Sequence, residues 1–154
     1  ESQGARVIVD SSGEALNFAL KSTPFMIKPN LAEFQELTGR RLESVDEIVD
    51  EAIKVHNMGV EFVVVSMKEN GAIGVTSSGV IWAKPPNVFA KNSVGAGDSL
   101  VAGVIAALES GKDYVEALTL GVASGTATAL KEGTAKANKD DVLQILKEVT
   151  IKRI

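Results

Sequence analysis

At 154 residues, 45% of them apolar and 14 of them glycine, the chain has the size of one ordinary domain with enough apolar material for a real core. A net charge of −4, with no Lys/Arg block longer than Lys152-Arg153, argues against a nucleic-acid partner, and no apolar run approaches the roughly 18 residues of a membrane span. Cysteine is absent and His56 is the one histidine, which excludes disulfides, thiolate catalysis, Cys-ligated metal and any multi-histidine site. The chemistry must rest on carboxylates, hydroxyls, lysines and backbone amides.

Gly4 has the look of a helix C-cap whose helix body is missing, so the chain is expected to be a piece of something longer; no signal peptide is visible at its start. Val7-Ile8-Val9 reads as a short buried strand, and Ser11 with Glu14 has capping-box spacing for a helix through Leu16 and Ala19 that Pro24 ends. Phe25 to Lys28 reads as the next strand, followed by a short helix from Leu31 to Leu37 that stops at Gly39. A second capping box, Ser44 with Glu47, opens a helix along Ile48, Val49, Ala52, Ile53, Val55 and Met58, closed by Gly59. Phe62 to Ser66 is continuously apolar and β-branched, as a central strand should be. Strand, helix, strand, helix, strand at this spacing is the pattern of a parallel sheet. Ala72–Thr76 and Val80–Lys84 then read as a hairpin, and an extended passage through Pro85-Pro86 leads to a glycine-rich turn. Helices at about 97–110, 114–131 and 139–149 follow, with an edge strand expected over 150–154. The second of these has a small face, Gly121, Ala123, Ser124, Gly125, Ala127 and Ala129, suited to a close neighbour or a flat ligand. Trp82 and Phe89 read as core rather than as a stacking platform, and His56 as surface or structural.

Four segments fall where an open α/β sheet places ligands, at strand ends and helix starts. The first is Ser93-Val94-Gly95-Ala96-Gly97-Asp98-Ser99, whose backbone N–H groups should converge where a helix begins. A carboxylate there either caps the helix or accepts a hydroxyl proton during transfer of an anionic group. The second is Lys28-Pro29-Asn30 with Glu33, either an N-cap with its N3 carboxylate or a pair that orients waters on Mg²⁺ beside nucleotide phosphates; both can hold. The third is Ser66 to Gly71, including Lys68, an ordinary turn or a phosphate and ribose contact. The fourth runs from Gly121 to Thr134, where small side chains could leave a slot for adenine. Neither a P-loop nor a G-x-G-x-x-G fingerprint is present. Carboxylates such as Asp46 and Glu47, or Asp140 and Asp141, read as helix-start capping.

Val94-Gly95-Ala96-Gly97-Asp98-Ser99 closely resembles the C-terminal signature of the ribokinase-like carbohydrate kinases, in the phosphofructokinase B branch. Asp10 to Leu16, Ile27-Lys28-Pro29-Asn30 with Glu33, Val65-Ser66 with Gly71, and Lys84-Pro85-Pro86 look most like its 1-phosphofructokinase and tagatose 6-phosphate kinase group. The resemblance implies an α/β chain, the C-terminal part of a ribokinase-like three-layer α/β/α fold with a mostly parallel sheet and a β-hairpin. Residues 1–154 would be the nucleotide-binding and catalytic portion of a larger kinase domain whose N-terminal half, with the lid and most sugar-binding residues, is missing.

The implied reaction is ATP-dependent phosphorylation of a sugar-phosphate hydroxyl, on fructose 1-phosphate or tagatose 6-phosphate. Asp98 would be the base, and Gly95, Ala96 and Gly97 would offer N–H groups to the γ-phosphoryl oxygens. Asn30 and Glu33 would serve Mg²⁺ and the phosphates. Ser66, Lys68 and Gly71 would touch the nucleotide, and residues 122 to 134, with Thr134 at the end, would take adenine. Lys28 is left either structural or facing the phosphates, and Ser93 stands where Thr is common. A cytoplasmic enzyme, homo-oligomeric at full length, with no nucleic-acid or membrane partner, completes the expectation. The rival readings are a nucleotide-binding fragment without turnover, and a kinase of the same superfamily for another sugar, a nucleoside or a vitamin.

Overall fold

A computed structural model describes residues 4–132 and 137–154. Six strands, β1 (Ile8–Val9), β2 (Met26–Ile27), β3 (Phe62–Ser66), β4 (Ala72–Thr76), β5 (Gly79–Lys84) and β6 (Thr150–Arg153), are hydrogen-bonded in chain order. Six α-helices accompany them: α1 (Gly13–Leu20), α2 (Leu31–Thr38), α3 (Val45–Asn57), α4 (Ala96–Glu109), α5 (Tyr114–Ala129) and α6 (Lys139–Leu146). The chain divides into two compact units, one holding the chain up to Met67 with Ile73–Val80 and Ile154, the other Lys68–Ala72 and Ile81–Arg153.

The first unit is the parallel part. β1 runs parallel to β2 with Ile8 opposite Met26, and β2 parallel to β3 with Met26 opposite Phe62. Phe62, Val63, Val64 and Val65 are fully buried, so both faces of β3 are covered and the run can be apolar throughout. Each such side chain contributes about 1.5–3 kcal/mol of burial. α2 and α3 pack against β3, and α1 against α2. Two helix starts form as their spacing predicts. Asn30 and Glu33 make a reciprocal capping box on α2, Ser44 and Glu47 one on α3, and Gly39 closes α2 in the left-handed region at φ 66°. Glu47 receives the backbone N–H groups of Glu43 and Ser44, and these hold its carboxyl below the ordinary value.

The start of α1 departs from expectation. Its N-cap is Ser12, one residue later than Ser11, and no side chain caps it. From Ser12 the third helical position is Ala15, so Glu14 falls out of register for a reciprocal bond. α1 also ends at Leu20, before Pro24 is reached.

The second unit carries β5 from Ile81 on, β6 and the last three helices. β6 pairs antiparallel to β5, Trp82 opposite Lys152 and Ala83 opposite Ile151, at the sheet margin as anticipated. α5 packs on α4 along one side and on α6 along another, where Ala123, Ala127 and Ile145 form a small core with Val142, Leu146 and Val149. The small face of α5 is filled by a helix. A Cβ on Gly121 would lie 2.6 Å from Val104 Cγ2 and 2.9 Å from Leu100 O, and one on Gly125 would lie 2.8 Å from Ala96 O. Of the two uses read for that face, the close neighbour is therefore the one at these glycines.

Phe89 is a correction. It is 90% exposed and belongs to no core. Residues 85–94 carry no helix or strand, so no repeated backbone hydrogen bonding holds this side chain against a packed face. Trp82 is half-buried, donates Nε1–H to Asn70 O at 2.9 Å, and has Lys84 Nζ over its ring. His56 is structural: its Nδ1 lies 2.7 Å from Val60 O and ties the end of α3 to the turn before β3.

Candidate active site

The carboxyl ends of the parallel strands gather several predicted residues within the first unit. Ser66 N–H donates to Pro29 O at 3.0 Å, and Asn30 and Ser66 form an isolated parallel bridge, so the Asn30 corner and the end of β3 are neighbours. In the capping box, Asn30 N–H donates to Glu33 Oε2 at 2.7 Å, and Glu33 N–H to Asn30 Oδ1 at 3.0 Å. Both residues remain half-exposed. The box commits one carboxylate oxygen of Glu33 to the cap, while Oε1 and the Asn30 amide N–H₂ can still meet water or a ligand.

Lys28 is 5% exposed, and its Nζ lies 3.1 Å from Asp10 Oδ1 at the end of β1. That pair ties the ends of β1 and β2 together and gives a buried ammonium its counter-charge. Sequence reasoning left Lys28 undecided and assigned no role to Asp10. The readable signal was a lone carboxylate directly after a short apolar strand.

In the second unit, Lys68 opens a single 3₁₀ turn, Lys68–Asn70, with an exposed side chain and φ 52°, a conformation uncommon for a residue with a Cβ. Gly71 follows at φ 79° and is buried. A Cβ there would lie 2.0 Å from Ala83 O and 2.9 Å from Pro85 Cδ, so glycine is demanded by the approach of β5 whatever else the turn touches.

The glycine-rich turn is the sharpest feature of this unit. Gly95 is the N-cap of α4 at φ 77°, and Ala96, Gly97 and Asp98 are its first three helical residues. Ala96 N–H already donates to Ser93 O at 3.2 Å, and Ser99 N–H to Gly95 O at 2.9 Å. Among the described residues, Gly97 and Asp98 N–H have no backbone acceptor, and the positive end of the helix dipole lies there.

Asp98 occupies the same N3 position as Glu33, Glu47, Glu116 and Asp141, each of which folds back into a capping box. Asp98 does not. Its helix has no side-chain cap, and the carboxylate is exposed. No hydrogen bond makes this carboxylate a cap, and it stays exposed in the first turn of α4.

Thr134, at the end of the stretch read as an adenine slot, lies outside the described residues. Nearer the turn, Lys91 and Asn92 N–H both donate to Ala129 O, Asn92 Oδ1 accepts from Val94 N–H at 2.9 Å, and Thr128 Oγ1 donates to Ser99 Oγ at 2.8 Å. Sequence reasoning missed these contacts because Thr128 reads as one more small residue of a helix. Among the described residues no helix is long and apolar enough to cross a membrane, and no group of three or more His, Asp or Glu could hold a metal unaided.

Comparison with known proteins shows the family and the fold. The family described as pfkB family carbohydrate kinase matches residues 1–141. A 1-phosphofructokinase of Bacillus subtilis is 43% identical over 99% of this chain and 50% of its own length. Phosphofructokinase-2 from Escherichia coli, solved in complex with potassium, superposes with a TM-score of 0.91 at 39% identity, covering 95% of this chain and 48% of that one. Arabidopsis thaliana ribokinase, complexed with ribose and ATP, does so with a TM-score of 0.82 at 27% identity, over 95% and 49%. The chain spans about half the length of the relatives it matches. With the ribokinase-like α/β fold and the Gly-Ala-Gly-Asp turn both in place, the chain belongs to the pfkB family of carbohydrate kinases.

Proposed function

We propose that this chain is the nucleotide-binding and catalytic C-terminal portion of a longer ATP-dependent kinase, which transfers the γ-phosphoryl group to a hydroxyl of a sugar phosphate, fructose 1-phosphate or tagatose 6-phosphate. The observation that carries the proposal is Asp98, the one N3 carboxylate of five that leaves its helix uncapped and stays exposed. A carboxylate in that position can accept the proton of an attacking hydroxyl. The Gly97 and Asp98 N–H groups supply fixed donors to oxygens on which charge develops during transfer, at no reorganisation cost. Ala96 N–H, engaged with Ser93 O, contributes less than the spacing alone predicts, whereas Gly95 supplies the left-handed corner that aims the others.

Asn30 and Glu33 would serve Mg²⁺ and the phosphates. Their donor set fits an outer-shell role: a half-exposed carboxylate with one uncommitted oxygen, beside an amide, with no cluster of three or more acidic or histidine ligands among the described residues. Mg²⁺ there would draw further oxygens from the nucleotide and water and neutralise phosphate charge. Ser66 at the end of β3, and the exposed Lys68 ammonium, would meet the nucleotide.

The test is Asp98→Asn in the full-length kinase. Loss of about 10²- to 10⁴-fold in kcat, with KM for ATP within a few-fold, is expected of a missing base. Unaltered phosphoryl transfer would end the assignment. A panel of phosphorylated and unphosphorylated sugars, nucleosides and vitamins given to the same enzyme identifies the acceptor. Saturable Mg-ATP binding to the 154-residue chain without acceptor-dependent ADP release would show a nucleotide site that needs the rest of the kinase for turnover.

A further inference from the structure

Two consecutive residues at the end of α5 hold both ends of the glycine-rich turn. Ala129 O accepts Lys91 N–H at 2.8 Å and Asn92 N–H at 3.1 Å, which fixes the strand of chain entering the turn. Asn92 then caps Val94 N–H through its side chain. On the far side, the hydroxyl of Thr128, itself 2% exposed, donates to Ser99 Oγ, the residue directly after Asp98. Gly125, one helical turn earlier on α5, sits against Ala96 O and allows the two helices to come this close.

We propose that Thr128 is a positioning residue: with the Ala129 carbonyl it clamps the segment Asn92–Ser99 and fixes where the Asp98 carboxylate and the Gly97 and Asp98 amides point. The inference rests on the reading of Asp98 as the base. Its physical content is separable from that reading, because a clamp has a dynamic signature of its own. A hydroxyl pair whose donor is buried is a costly device unless its geometry is used. The same α4–α5 contact could have been closed by an apolar pair, which would hold the helices together without setting the rotation of the first turn of α4. A misplacement of a reacting group by an ångström can cost on the order of a hundredfold in rate, so even a partial release of the turn should be visible.

The experiment compares Thr128→Val, which keeps the shape and removes the donor, with Thr128→Ser, which keeps the donor. Both are made in the full-length kinase and assayed with Mg-ATP and fructose 1-phosphate. Amide hydrogen exchange of the segment 92–99 is followed in parallel. For Thr128→Val, kcat is expected to fall on the order of tenfold to a hundredfold with KM for ATP unchanged. Exchange across 92–99 is expected to quicken while the middle of α5 exchanges as before. Thr128→Ser should restore both. Unchanged kcat and unchanged exchange in Thr128→Val would overturn the proposal. If Thr128→Val fails to fold, Ser99→Ala breaks the same bond from its half-buried side and is read by the same two measurements. If Asp98→Asn retains the full rate, the base reading fails; the clamp is then decided by exchange alone, quickened exchange supporting it and unchanged exchange refuting it.

Discussion

Gly125→Ala tests the α4–α5 contact on which the glycine-rich turn rests. Two effects oppose each other. Replacing an interior helical glycine by alanine favours the helix by about 1 kcal/mol. The new Cβ, however, would stand 2.8 Å from Ala96 O and 3.4 Å from Leu100 Cβ. The first of these is a backbone oxygen in the opening turn of α4, which cannot rotate aside as a side-chain tip can. Relief requires the helices to part by several tenths of an ångström, and overpacking of this kind costs about 1–3 kcal/mol. Because the obstacle is backbone, the upper part of that range applies, about 2–3 kcal/mol, and with the helix gain of about 1 kcal/mol set against it the net loss is about 1–2 kcal/mol. Trp82 is the single tryptophan and lies in the same unit, so its fluorescence reports the unfolding of that unit in urea. With a denaturant slope of about 2 kcal/mol/M, the midpoint should drop by about 0.5–1 M. A midpoint that stays or rises would mean that helix propensity dominates and that α4 and α5 do not meet at this distance.

Three further outcomes follow from the geometry. Gly71→Ala adds an atom 2.0 Å from Ala83 O at φ 79°, and should cost more than about 2 kcal/mol, seen as loss of the cooperative Trp82 transition. Asn30→Ala removes half of the α2 capping box and should lower stability by about 1 kcal/mol; Asn30→Asp keeps the cap, so calorimetry of Mg-ATP binding on both variants separates a lost cap from a lost ligand contact. Glu51 is buried between Lys54, 2.8 Å away, and Arg40; the Lys54 hydrogen bond foremost, with Arg40, holds its carboxyl below the ordinary value of 4.5 in spite of burial. A carboxyl lowered on folding stabilises the fold above its unfolded value, and that stability is lost as pH falls below about 4.5 through the folded value. Glu51→Gln should therefore flatten the acid limb of a stability–pH profile. The effect should be no more than about 1 kcal/mol, because Arg40 and Lys54 are both more than half exposed; an unchanged acid limb would refute the assignment.

Much of the local order was legible without coordinates, and for a common reason. The boxes at Asn30 and Glu33, and at Ser44 and Glu47, close over three residues, so the residues that make the bonds are also the ones that announce them. β3 announced itself by an apolar, β-branched run that only a doubly covered strand can bury. The turn before Asp98 was legible because a left-handed corner followed by a close-packed helix start admits few residues other than glycine and alanine.

Tertiary structure decided what depends on partners far along the chain. The Ser11 box failed because the chain leaving β1 enters α1 one residue late, a register that local spacing does not set. Lys28 found Asp10 across the ends of two strands, and Thr128 found Ser99 across a helix pair. Phe89 kept its apolar character but lies on a segment with no sheet or helix to bury it. The small face of α5 was compatible with a ligand or a helix, and the packing of α4 filled it at Gly121 and Gly125. Asp98 is where the two levels meet. Its residue type and position were readable in the sequence, but that Gly95, which has no side chain to close a reciprocal box, is the N-cap of its helix, unlike the N-caps of its four counterparts, is something only the folded chain displays.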